Sequence, residues 1–151
     1  MKAYTNYIVA LAIMLGLNAC CSKKGACPII ECNNMQLVNF DSSQVSDSVK
    51  LTTYAGGSNF TQIVSENYLQ GNPTATAKTY ALNTGTLSVN YDYEVNVIKA
   101  GKKYKINAYT VEKVACGKCF MRTNNQFGYN LTGYAVNGKH QDYNGIIQIS
   151  Q

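Results

Sequence analysis

The chain of 151 residues has no tryptophan, one histidine (His140), one arginine (Arg122) and two prolines. Each scarcity closes off a class of function. With a single Arg and scattered Lys there is no basic face or helix of the kind that nucleic-acid binders concentrate, so nucleic acid is excluded as a partner. The lone His140 lies in the polar stretch Asn-Gly-Lys-His-Gln-Asp. No paired nucleophile or orienting group accompanies it, so it reads as a solvated loop residue and not as the centre of a catalytic triad. Nor is there a run of about 20 apolar residues, the length a membrane-spanning helix needs. Tracts of helix-forming Ala, Leu, Glu and Lys are missing, 3.6-residue periodicity is confined to the extreme amino terminus, and no internal repeat occurs. No cofactor motif is present, and no enzyme activity is expected.

The longest apolar run is Ile8–Leu17, preceded by Lys2 and closed by Leu17-Asn18-Ala19-Cys20. A run this short is typical of the apolar region of a signal peptide and is too brief to span a bilayer. Its closing residues resemble a bacterial lipobox. In secreted lipoproteins that share this feature the cysteine takes a diacylglycerol thioether and a peptidase cuts just before it. The resemblance therefore implies that residues 1–19 are a cleaved signal peptide and that Cys20 is the lipidated first residue of the mature chain. Two acyl chains suffice for stable attachment, since each buried methylene contributes about 0.8 kcal/mol. The following Cys-Ser-Lys-Lys-Gly-Ala (21–26) reads as a polar stalk and is similar to that of small Bacteroidetes-type envelope lipoproteins. It lacks the acidic residues of that group's surface-export signal, so the facing of the anchor stays open. The expected location is the cell envelope, with the lipid anchor in the outer membrane.

Without residues 1–19, 132 residues remain, with 12 Lys and Arg (13 less Lys2) against 8 Asp and Glu. That length suits one domain with a real core. The expected division is residues 20–34 as lipidated cysteine and stalk, and residues 35–151 as the folded domain.

Four further cysteines form two close pairs, Cys27-Pro-Ile-Ile-Glu-Cys32 and Cys116-Gly-Lys-Cys119. Both spacings fall in the range of structural zinc sites. Outside the inner membrane the medium is oxidising, which favours disulfides over zinc. Three connectivities are open. Cross-pairing would close a loop of about 90 residues and contribute up to roughly 4–5 kcal/mol in the chain-entropy description, whereas proximity in sequence favours local pairs. Cys21 is then the odd thiol. Cys116-Gly-Lys-Cys119 has the spacing of a thioredoxin-type redox pair, with Lys118 placed to lower a thiol pKa. It lacks the helix within a βαβ unit on which that chemistry normally rests. A thiol redox protein and a zinc-stabilised interaction domain are thus the alternatives to a binding module.

Strand signals fill the rest. Met35–Phe40, Val45–Tyr54, Phe60–Ser65 and the polar, edge-like Thr74–Leu82 read as strands, with turns at Gly56-Gly57 and Gly71-Asn72-Pro73. The clearest alternation runs over Leu87–Ile98, where Leu87, Val89, Tyr91, Tyr93, Val95 and Val97 share one face. After a turn at Ala100-Gly101-Lys102-Lys103 it resumes through Tyr104, Ile106, Ala108 and Thr110, giving a central hairpin. Phe127–Val136 is a further strand, Asn137-Gly138 a type I′ turn signal repeated at Asn144-Gly145, and Ile146–Ser150 a closing strand. About seven or eight short strands predict an all-β fold, an antiparallel β-sandwich of immunoglobulin-like kind, with a small closed barrel as the alternative.

Asp92 and Glu94 lie two residues apart on one strand face. A glycosidase needs its carboxylates opposed across a cleft, so this pair reads as solvated surface facing Lys105. Among the twelve tyrosines, Tyr91, Tyr93 and Tyr104 fall in register with the core, while Tyr109, Tyr129, Tyr134 and Tyr143 could form an exposed contact platform. Asp47-Ser48-Val49 resembles the short O-glycosylation motif of Bacteroidetes envelope proteins, making Ser48 a candidate acceptor. The function expected from all this is a non-catalytic, lipid-anchored module that binds an envelope protein or a glycan.

Overall fold

The computed structural model describes residues 31–32, 34–46, 49–115 and 127–151. Their strands are β1 (Glu31–Cys32), β2 (Met35–Val38), β3 (Val49–Ala55), β4 (Ile63–Leu69), β5 (Gly71–Pro73), β6 (Thr79–Leu82), β7 (Leu87–Ser88), β8 (Tyr91–Val97), β9 (Lys102–Ala115), β10 (Phe127–Val136), β11 (Lys139–Asp142) and β12 (Ile147–Ser150). One short helix, α1, spans Ser42–Val45, and a 3-10 turn spans Ile98–Ala100. The chain divides into two compact units, Ile30–Glu112 with Leu131–Gln151, and Met1–Ile29 with Lys113–Asn130.

In the larger unit two sheets enclose one core. A six-stranded sheet runs in the order β11-β10-β9-β8-β3-β4 and a four-stranded sheet in the order β12-β2-β6-β5, with β1 and β7 forming a separate two-stranded pair. The fold is the β-sandwich expected, and neither sheet closes into a barrel. Met35 and Leu37 of β2, Val49 and Leu51 of β3, Val95 and Val97 of β8, and Ile147 and Ile149 of β12 are buried together with Phe40 and Val45. Burying a side chain of this size stabilises by roughly 1.5–3 kcal/mol relative to leaving it in water, so this cluster is the main driving force for the fold. In the smaller unit the described residues are strand ends, where the Lys113 ammonium stands 3.8 Å above the centre of the Phe127 ring.

The central hairpin of β8 and β9 forms as its alternation predicts, with Tyr93 opposite Ile106, Val95 opposite Tyr104 and Val97 opposite Lys102. The strand Phe127–Val136 and its Asn137-Gly138 turn also form as expected. Val136 pairs directly with Lys139 across two residues of positive φ, as a type I′ turn requires.

Five expectations are corrected. Val45–Tyr54 is not one strand: Val45 ends α1, whose start is set by Asp41 and Gln44, the Asp41 backbone N–H donating to Gln44 Oε1 at 3.0 Å. Phe60 belongs to a turn, with Asn59 and Phe60 both at positive φ, and the third strand starts only at Ile63. Gly71-Asn72-Pro73 is itself an edge strand, a position that tolerates Pro because no ladder donor is needed on the open side. Thr74–Leu82 forms a strand only from Thr79. Finally, Asn144-Gly145 does not make a hairpin: the chain crosses between sheets there, and β12 runs parallel to β2, with Ile147 opposite Met35 and Ile149 opposite Leu37.

Two faces also differ from the simple period. Leu87–Ile98 is interrupted at Val89-Asn90, so Tyr91 is 38% exposed while Asp92 is buried and accepts a hydrogen bond from the Gly57 backbone N–H at 3.2 Å. Gly56 is required beside this contact, because a Cβ there would lie 2.3 Å from the Asn90 carbonyl oxygen. In β9, Ala108 has a φ of 50°, the signature of a bulge, and beyond it Tyr109 packs on the core while Ala108 is exposed.

Candidate functional site

The four-residue tyrosine platform is not assembled. Tyr134 is 1% exposed, and its hydroxyl accepts from the Gln148 backbone N–H at 2.7 Å, tying β10 to β12 through the core. Tyr109 and Tyr143 pack against the core, and of the four only Tyr129 is well exposed. Among the tyrosines expected in the core, Tyr93 and Tyr104 are buried, and Tyr93 clips β7 by accepting from the Ser88 N–H at 2.8 Å.

Cys32 lies in β1 opposite Leu87, 1% exposed, as a free thiol. Burial pushes its pKa up, a shift opposed by a hydrogen bond with Tyr143, so this thiol is not activated as a nucleophile. Cys20, Cys27, Cys116, Cys119 and Ser48 lie outside the described residues. His140 is exposed on β11, 3.9 Å from Asp142 Oδ1. Asp92 supports a turn and Glu94 pairs with Lys103 at 3.4 Å, so the two carboxylates serve the sheet and do not face each other across a cleft. Among the described residues no group of three or more His, Cys, Asp or Glu is placed to hold a metal ion, and no helix is long and apolar enough to cross a membrane.

The feature that stands out is an edge. Of the four outer strands of the two main sheets, β11 carries Lys139, His140 and Asp142, β5 is short and ends in Pro73, and β12 has its two isoleucines buried. Charge, brevity and proline are the usual means of blocking further pairing at an edge. β4 differs. It is seven residues long, pairs among the described residues on one side only, with β3, and is exposed from Ile63 to Tyr68. Ile63, Val64 and Tyr68 are among the largest exposed apolar side chains, Tyr68 at 73%.

The geometry follows from register. Ser65 opposes Thr53 and Asn67 opposes Leu51, so both sit on the core-side face, yet both are exposed. Glu66 opposes Thr52 and Tyr68 opposes Lys50 on the outer face. The register shifts between Thr53 and Tyr54, confining irregularity to the start of β4 and leaving Ser65–Leu69 regular. Glu66 is the sole charged residue of the strand; its Oε1 receives Lys50 Nζ at 2.7 Å. Nearby, the β3–β4 turn folds onto the outer face, Phe60 meeting the Tyr54 ring edge-on at 5.4 Å with Lys105 Nζ 4.6 Å above it. Where β4 leads into β5, Tyr68, Leu69, Gln70, Asn72 and Asn83 line a shallow groove of about 490 Å³. No acid, base or thiol lines it, so it offers contact and not catalysis.

The expected strand Phe60–Ser65 caught only Ile63–Ser65 of β4 and stopped short of Leu69, because an edge strand wet on both faces has no reason to alternate. The available signal was a run of β-forming residues, Ile63-Val64 and Tyr68-Leu69, with no proline or lysine among them. No family model, curated protein or solved structure matches the chain.

Proposed function

We propose that this protein is a lipid-anchored, non-catalytic binding module of the cell envelope, which captures an extended segment of a partner protein by adding it as a strand beside β4. The observation that carries the reading is a seven-residue exposed edge strand whose outer side has no partner strand among the described residues, while the other edges are short, charged or buried. Unpaired main-chain N–H and C=O groups at strand spacing are matched by another strand and by few other ligands. Each backbone hydrogen bond gained contributes about 1 kcal/mol net, so a short segment suffices for reversible binding. A protein partner is favoured over a glycan because the exposed tyrosine platform that would stack on sugars is not formed. The anchor at Cys20 rests on the resemblance of the leader to a lipobox; it would hold the domain at the membrane and raise the local concentration of any envelope partner.

A photo-reactive residue at Asn67, on β4, compared with one at His140, on β11, tests this in intact envelopes. The expected result is an adduct from Asn67 alone, mapping to one extended segment of one partner protein. Adducts of equal yield from both edges, or an Asn67 adduct with glycan, would overturn it.

A further inference from the structure

The partner strand proposed above also has a chemistry that β4 prescribes. We infer that β4 selects a heterologous segment of alternating pattern, with a basic residue opposite Glu66 and an apolar residue opposite Tyr68; this rests on the strand-addition reading.

Three observations point there. Glu66 is the only charge on β4, and its side chain remains 43% exposed while its Oε1 receives Lys50. A strand added outside β4 would face Glu66 from the side opposite Lys50, where a lysine or arginine completes a cation–carboxylate–cation row across three strands. Tyr68 shares this outer face two residues on and is 73% exposed, ready to pack against a β-branched or aromatic neighbour. The other face of β4 presents Ser65 and Asn67, which ask only for small polar partners.

The same geometry argues against a second copy of this chain. Pairing the whole strand antiparallel with itself sets Ile63 against Leu69 and Glu66 against Glu66. Like charges directly opposite one another destabilise a strand pair, so the edge is better suited to a different chain.

The test uses the lipidated full-length protein in nanodiscs and two capped peptides, Thr-Thr-Val-Thr-Lys-Thr-Thr and the same sequence with Glu replacing Lys. In antiparallel register this places Val opposite Tyr68 and Lys opposite Glu66. The Lys peptide is expected to bind roughly fivefold to tenfold more tightly, as an exposed pair exchanged for a repulsion allows. The preference should vanish in Glu66→Gln, reverse in Glu66→Lys and shrink with salt. N-methylation of one alternate set of peptide amides should abolish binding and that of the other set should not, because alternate residues of a strand face the ladder. Equal binding of both peptides, with the methylation pattern intact, would overturn the charge selection and leave strand addition standing. Absence of binding by either peptide, or indifference to both methylated sets, would overturn both. Concentration-dependent dimerisation that is blocked by the Lys peptide would identify a second copy as occupant and overturn the heterologous partner.

Discussion

Two tyrosines that a composition count cannot distinguish have opposite stability roles. The Tyr134 hydroxyl crosses the core to bond the backbone of Gln148, accepting at 2.7 Å, whereas the Tyr109 hydroxyl is buried with no hydrogen-bond partner among the described residues. Removing one partner of a buried bond strands the other, while removing an unsatisfied group relieves a desolvation cost. Tyr134→Phe should therefore lower unfolding free energy by about 1–2 kcal/mol, and Tyr109→Phe should leave it within about 0.5 kcal/mol or raise it. Urea denaturation of both variants checks the pair. Tyr143 adds a pH dependence. Burial, with Cys32 nearby, pushes its phenol up to about 12, so the unfolded chain gives up this proton first, near the ordinary value of about 10. The contribution of Tyr143 to stability should be flat below about pH 10 and fall as pH rises towards 12. Denaturation midpoints for wild type and Tyr143→Phe across that range should differ in slope, the variant falling less steeply.

At the scale of elements, alternation was legible wherever a strand is buried on one face only and misleading wherever local geometry breaks the period. Tyr93, Val95 and Val97 fall where counting puts them because both neighbours of β8 are regular over that stretch. Tyr109 does not, because the positive φ of Ala108 resets the faces, and nothing about an alanine announces a bulge. The start of α1 was readable in principle from Asp41-Ser-Ser-Gln44, a capping pattern masked by the β-forming Val45 and Val49 around it. The parallel pairing of β12 was not readable, since which sheet a closing strand joins is decided by long-range burial of Ile147 and Ile149. The bulge gives a test. Left-handed backbone costs a non-glycine residue about 1–2 kcal/mol, and glycine returns roughly 0.5–1 kcal/mol of that as extra chain entropy on unfolding. Ala108→Gly should thus be neutral or stabilising by up to about 1 kcal/mol, and the β-branched Ala108→Val should cost more than about 1 kcal/mol; thermal unfolding of the two distinguishes a bulge from a regular strand.

For the whole molecule, the proposal joins an anchor to an edge. In that proposal the leader 1–19 with Cys20 would account for location and β4 for contact, while the sandwich accounts for stability. Labelling with an alkyne analogue of palmitate should mark the wild type and leave Cys20→Ala unmarked; a marked variant would remove the anchor from the scheme. Binding through the edge then makes a statement about the molecule in place. Hydrogen exchange along β4 should alternate in purified protein, slow at the amides bonded to β3 and fast at the outward amides, which see only water, and the outward set from Ser65 to Leu69 should become slow in intact envelopes, where a partner strand covers it. Site-resolved exchange in the two settings is the most direct measurement: protection of the outward amides appearing only in the envelope is the predicted result, and identical exchange along β4 in both would contradict the account.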